Sequence, residues 1–275
     1  MKEVFTMWRY TQMVVLVALT AAIYAAVLIP FKPFPIIPGA VEIRPANVVP
    51  FLCGLLFGPA GAWGAAIGNL IGDFFGTLTI GSVGGFVGNF FLALLPYKLW
   101  SAYFRRGENV EPSMDSGKKL GVYVVVAVLA SVVCALIIAW WVDLLGFLPF
   151  TPVLISITLN NSIMGVVLGP ILLRLIYPRI KQFGLLWTEI MEPEEVSASR
   201  FSTIGNVLVW VGGIGGAVVG LILGLSGTDP GGLGVGLGLI PFLALIVVGA
   251  FLLGGREQVE AAEELMASEE GERTS

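Results

Sequence analysis

The feature that most constrains this chain is a succession of long apolar runs. Eight of them can be drawn, at roughly 11–29, 45–58, 60–76, 81–103, 120–142, 153–177, 203–226 and 233–254. Backbone placed in hydrocarbon must satisfy all its N–H and C=O groups internally, which leaves helices or closed barrels. The runs are continuous and do not alternate as barrel strands do, so the spans are helices. Only 12% of the 275 residues are charged, against about 25% in soluble domains. The sequence therefore predicts an all-α, polytopic membrane helical bundle.

Spans two and three are short for a bilayer that needs ~20 residues per helix. They are parted only by "FGPAG", where Gly58 and Pro59 make a turn. Such short, glycine-rich spans are expected inside the bundle, away from lipid. Positive charges orient the chain. Lys2 and Arg9 precede span one, Arg105, Arg106, Lys118 and Lys119 lie between spans four and five, and Arg174, Arg179, Lys181 and Arg200 follow span six. The loops around Asp143 and Asp229 hold no Lys or Arg, and the loop 30–44, with Lys32 and Arg44, is the exception. The pattern places both termini in the cytoplasm. The first apolar run reaches Ile29, long for a signal peptide, and is read as a retained span. The expected layout is a six-span membrane domain at 1–180, a cytoplasmic linker at 181–202, two glycine-rich transmembrane helices at 203–254 and an acidic, solvated or disordered tail at 255–275.

Several chemistries are excluded. There is no histidine, and Cys53 and Cys134 sit singly in apolar runs, so no metal site is expected. No GxxxxGK[ST] occurs, so the chain carries no P-loop of its own. No nucleophile–base set is present, so no catalytic residue and no enzyme activity is expected. No cofactor or nucleic-acid partner is expected either.

The stretch "GAAIGNLIGDFFG" sets Asn69 and Asp73 four apart, on one helical face. An intramembrane carboxylate is costly and usually faces a partner or a cavity. With the orientation above, Asp73 lies near the outer end of span three and Asn69 one turn deeper. Asn89 on span four, Asn160 and Asn161 on span six, Trp140 and Trp141 on span five, and Glu42 and Arg44 of the first external loop fall at a similar level. Each has a plainer explanation: an asparagine can simply join two helices, and paired tryptophans fit an interfacial belt. Their shared depth argues for a binding site in the outer half of the membrane. Gly64, Gly68, Gly72 and Gly76 recur every fourth residue, as do Gly212, Gly216, Gly220 and Gly224. The first of these stripes is expected to pack helices closely. Ala18, Ala22 and Ala26 form a small-residue face on span one, suited to internal packing or to docking another membrane protein.

Three features together resemble the substrate-binding S components of energy-coupling factor (ECF) vitamin transporters. They are the AxxxA face at Ala18, Ala22 and Ala26, the long first loop "PFKPFPIIPGAVEIR", and "VVPFLCGLLFGPAGAWGAAIGNLIGD" across spans two and three. The likeness covers residue 10 to about residue 180. It implies a six-helix core in the cytoplasmic membrane of a prokaryote, to which two C-terminal transmembrane helices are added here. It implies capture of a vitamin or related small organic micronutrient on the external side. It also implies partners: a transmembrane scaffold subunit contacting the alanine face, and two cytoplasmic ABC-type ATPases that use the ATP. A self-sufficient proton- or sodium-coupled secondary transporter, with Asp73 as the coupling carboxylate, is the alternative; a membrane scaffold and a membrane enzyme are weaker ones.

Overall fold

A computed structural model describes residues 1–31, 35–37, 41–42, 44–76, 78–104, 108–198, 201–226 and 230–274. Lys32, Arg105, Arg106, Arg200 and Asp229, used above for orientation, lie outside the described residues, as does the side chain of Glu42. Six helices form the first part: α1 Thr11–Leu28, α2 Val48–Phe57, α3 Pro59–Asp73, α4 Ser82–Trp100, α5 Gly117–Leu144 and α6 Phe150–Gln182. A hairpin of α7 Ser202–Leu225 and α8 Leu233–Leu252 follows, then α9 Arg256–Thr274. In the first loop, β1 Pro35–Ile37 pairs antiparallel with β2 Val41–Glu42. Among the described residues, the stretches holding α1, α5, α6, α7 and α8 are long and apolar enough to cross a membrane. This is a multi-pass membrane bundle.

The short helices are interior ones. With 10 residues α2 reaches only ~15 Å, half a bilayer, so its ends could not be left in lipid. Every residue from Val48 to Phe57 is buried. Small residues let its neighbours close in: a Cβ on Gly54 would meet the Ala93 carbonyl of α4 at 2.2 Å, and one on Gly61 of α3 would meet the Cys53 carbonyl at 2.1 Å. Gly58 turns the chain between α2 and α3 at φ +52°, with the Trp187 indole where a side chain would stand. Pro59 then opens α3, where a missing N–H costs nothing. Lipid-facing surface is plain on α6, where Ile155, Leu159, Ile163, Val167, Ile171 and Leu175 form an exposed stripe at four-residue spacing.

The glycine stripe of α3 packs on α1. Side chains at Gly64, Gly68 and Gly72 would strike Thr20, Ala21 and Leu28 respectively. Gly76 does not belong to it: α3 ends at Asp73, and Gly76 has φ +133° with nothing within 4 Å. The stripe of α7 packs likewise, Gly212 and Gly216 on Phe242 and Ile246 of α8 and Leu136 of α5, and Gly220 on Phe150 of α6. Within this stripe, Val211–Gly215 widens into a π turn.

The bundle has two unlike ends. One, here the loop end, carries the first loop and the α3–α4, α5–α6 and α7–α8 turns. The other, the terminal end, gathers the N-terminal segment, the α6–α7 connection and α9. That connection is packed, not free: Trp187, Met191 and Val196 are buried. The first turn of α9 is docked as well, with Val259 buried and Gln258 Nε2 donating to the Tyr97 carbonyl at 2.8 Å. Lys98 pairs with Glu3, both fully buried, and also donates to the Leu253 carbonyl at 2.9 Å. The Glu3 carboxylate accepts from the Ser197 hydroxyl at 2.7 Å.

Candidate functional site

At the loop end the helices part around a cavity of about 450 Å³. Its polar lining is built from helix ends. The last turn of α3 presents Asn69 and Asp73 on one face, and both are buried. Gly85 of α4 stands opposite; a Cβ there would lie 2.8 Å from Asn69 Nδ2 and 3.7 Å from Asp73 Oδ2. One turn further along α4 comes Asn89. Arg44 and Asn47 enter just before α2, and Asn160 and Asn161 come from α6. Thr79 and Ser82 add hydroxyls at the α3–α4 turn, and the opposite wall is mostly apolar, formed by Cys134, Ile138 and Val142 of α5, Phe147 and Leu148 of the α5–α6 turn, and Val153 and Ile157 of α6.

The polar groups fall into two sets. In the tight set the Tyr24 hydroxyl of α1 lies 2.8 Å from Asn47 Oδ1 and 2.8 Å from Asn89 Oδ1. Asn89 Nδ2 donates to the Gly85 carbonyl at 2.8 Å, and Asn47 Nδ2 donates to Asn161 Oδ1. These bonds join α1, α2, α4 and α6. In the loose set Arg44 N donates to Asn160 Oδ1 at 3.4 Å, Arg44 Nη1 to Asn69 Oδ1 at 3.3 Å, and Asn69 Nδ2 to Asp73 Oδ2 at 3.4 Å. Those distances exceed the usual 2.7–3.2 Å. Arg44 and Asp73 are the charged residues in the cavity lining among the described residues.

Of the residues singled out from the sequence, Arg44, Asn69, Asp73, Asn89, Asn160 and Asn161 line this one cavity. Trp140 and Trp141 are not in its lining. The Trp140 indole turns to the C-terminal hairpin and donates to the Gly236 carbonyl at 2.9 Å, while Trp141 packs on Gly84 and donates to the Ile80 carbonyl at 2.9 Å. Depth fixes how far along the axis a residue lies, not which way its side chain turns about it, and both indoles turn to partners outside the cavity. Sequence reasoning passed over Asn47, Tyr24 and Cys134. Asn47 carried a usable signal, a second amide next to Arg44 at the same level. Tyr24 carried none, because an aromatic on an apolar span reads as core.

This arrangement suits a flat polar ligand with one apolar side. Asparagine amides offer donors and acceptors together, and a carboxylate accepts about four hydrogen bonds. The mix of a few convergent polar groups and an apolar wall is typical of small-molecule sites. Away from the cavity, Ala18, Ala22 and Ala26 lie exposed on α1, while Ala21 and Ala25 are buried on its other face. The exposed alanines form a flat strip between Val15, Leu19 and Ile23.

The model of a family described as QueT transporter matches residues 14–178, which take in most of α1 and α6, all of α2 to α5 and every residue of the cavity lining. No curated protein and no solved structure matches the chain.

Proposed function

The chain belongs to the QueT transporter family, a family of S components of ECF transporters, and we propose that it captures a queuosine precursor from outside the cell. Its cavity holds the ligand and its partners supply the ATP-driven step. The observation that carries this is the convergence of Arg44, Asn69, Asp73 and Asn160 on one cavity of about 450 Å³. A queuosine precursor is a deazapurine with a guanine-like edge, two adjacent N–H donors beside a carbonyl. A carboxylate is the natural acceptor for two parallel donors, which gives Asp73 its role. Arg44 then meets the carbonyl, and asparagines take the remaining ring positions. Phe147, Leu148 and Ile157 cover the ring face. The tight set holds the helices in place, and Arg44, Asn69, Asp73 and Asn160 bond the ligand.

In this scheme the loop end faces outward, both termini are cytoplasmic, and the membrane is the plasma membrane of a prokaryote. The exposed strip at Ala18, Ala22 and Ala26 docks the transmembrane scaffold subunit, and two ABC-type ATPases act through that subunit. Calorimetry of the purified chain with 7-deazaguanine and its 7-aminomethyl derivative tests the substrate; riboflavin serves as the control. Saturable binding of the deazapurines alone supports the assignment. Binding of riboflavin alone, or of neither class, overturns it. For the docking strip, Ala22→Leu will abolish co-purification with a scaffold subunit and leave ligand affinity unchanged. Loss of ligand affinity instead would make the strip part of the bundle's internal packing.

A further inference from the structure

The hairpin α7–α8 lies outside the span matched by the family model, yet it grips one wall of the cavity. That wall is the α5–α6 turn, which places Phe147 and Leu148 in the lining and is followed by Val153 and Ile157. Three contacts fix the turn from behind. The Asp143 carbonyl accepts from Gly146 within the turn at 2.8 Å and from Gly231 of the α7–α8 turn at 2.7 Å. The two glycines stand back to back in left-handed conformations, φ +73° and +83°, and a Cβ on Gly231 would lie 3.3 Å from Gly146 Cα. Next to them, Trp140 donates to the Gly236 carbonyl of α8. Below, the fully buried Phe150 ring fills the notch at Gly220, where a Cβ would lie 2.4 Å from it. The Asp143 carboxylate then accepts from Phe150 N at 2.9 Å, closing the corner.

We propose that the C-terminal hairpin is a brace for the substrate site, with Trp140, Asp143 and Gly231 as positioning residues. It holds the α5–α6 turn against the cavity and so limits how often that wall opens. The proposal rests on the cavity being the binding site; its test needs no ligand. Loops with few anchors open locally at little cost, and part of this turn's anchoring comes from the hairpin, beside the bonds it makes within the α5–α6 corner.

Cys134 provides the readout. It lines the cavity and is 1% exposed, so a thiol reagent reaches it only when a wall moves. In the full-length chain carrying Cys53→Ala, Cys134 is the single thiol. Reconstituted protein is treated with a membrane-impermeant methanethiosulfonate, and the rate of Cys134 modification is followed by mass spectrometry. Gly231→Val breaks the turn-to-turn contact, and Trp140→Phe removes one hydrogen bond but keeps a ring. Trp210→Phe removes the hairpin's bond to Tyr103 at the terminal end, 2.8 Å long. Modification is expected to be slow in the parent and about fivefold faster in Trp140→Phe, the effect of one lost hydrogen bond on a local opening. It should be faster still in Gly231→Val and unchanged in Trp210→Phe. If Gly231→Val does not fold, Trp140→Phe decides. Parent-like rates in Trp140→Phe, or equal acceleration in Trp210→Phe, would overturn the brace. Failure of the deazapurine binding test would leave this result standing, so the two ideas fail separately.

Discussion

The two ends of the bundle bury polar groups in opposite ways. At the terminal end Lys98 and Glu3 face each other with no solvent exposure, and Leu253, Ser197 and Tyr97 close around them. At the loop end Arg44 and Asp73 share a cavity wall with asparagines, through hydrogen bonds of 3.3 to 3.4 Å. The first arrangement is enclosed, with both charged side chains wholly shielded from solvent. The second lines a cavity of about 450 Å³. Polarity inside a membrane bundle thus does not by itself mark a site. A charge that is enclosed by its partners acts as a staple between elements; a charge that borders a cavity is placed to bind.

That contrast can be broken or sharpened by experiment. The largest effect should come from Lys98→Met, which removes the buried ammonium facing the Glu3 carboxylate and leaves the amino terminus, 3.4 Å away, as a cation beside it; breaking a buried pair costs about 3–5 kcal/mol. Thermal unfolding in detergent will show it, and adding Glu3→Gln should recover most of the loss. Wild-type melting of Lys98→Met would remove the staple. Next is Asp73→Asn, expected to weaken deazapurine affinity by roughly 10- to 100-fold, the range for a hydrogen bond to a charged group, with melting unchanged. An equal fall in melting temperature would make Asp73 a second staple.

Acid should separate the ends further. Burial pushes the Glu3 carboxyl up, but the Lys98 ammonium, the amino terminus and the hydrogen bonds from Lys98 and Ser197 outweigh it and hold the pKa down from 4.5 to about 2. A carboxyl with a depressed folded-state pKa stabilises the fold above its unfolded value, and that contribution is lost as pH falls through the folded value. Melting temperature should therefore drop between pH 4.5 and about 2, and Glu3→Gln should flatten the drop. The smallest change is Gly85→Ala, whose methyl would crowd Asn69 Nδ2 at 2.8 Å. It should weaken ligand binding several-fold with little effect on melting; unchanged affinity would show that the α3–α4 face of the cavity is not used.

Much of this was legible in the chain. Run lengths gave the helices, and "FGPAG" gave the α2–α3 turn with both its glycine and its proline in use. The level at which asparagines recur led to six of the cavity's polar residues, because depth follows directly from the rise of a helix. Rotation about the helix axis was harder. Trp140 and Trp141 stand at the right depth but point to the hairpin and to the α3–α4 loop. The glycine stripe of α3 also looked one member too long, because nothing in its spacing reveals where the helix stops.

By itself the sequence determined that the chain crosses a membrane as helices, that two of them are too short to face lipid, and that a carboxylate and several amides share one level. These follow from hydropathy and from the fixed geometry of the helix, both local properties. Only the tertiary structure decided which of those groups meet. The pairing of Glu3 with Lys98, the bridge from Tyr24 to Asn47 and Asn89, and the seating of Phe150 in the notch at Gly220 each join residues far apart in the chain. Such contacts depend on how helices rotate and lean when close packing is satisfied everywhere at once, and no single stretch of sequence carries that information.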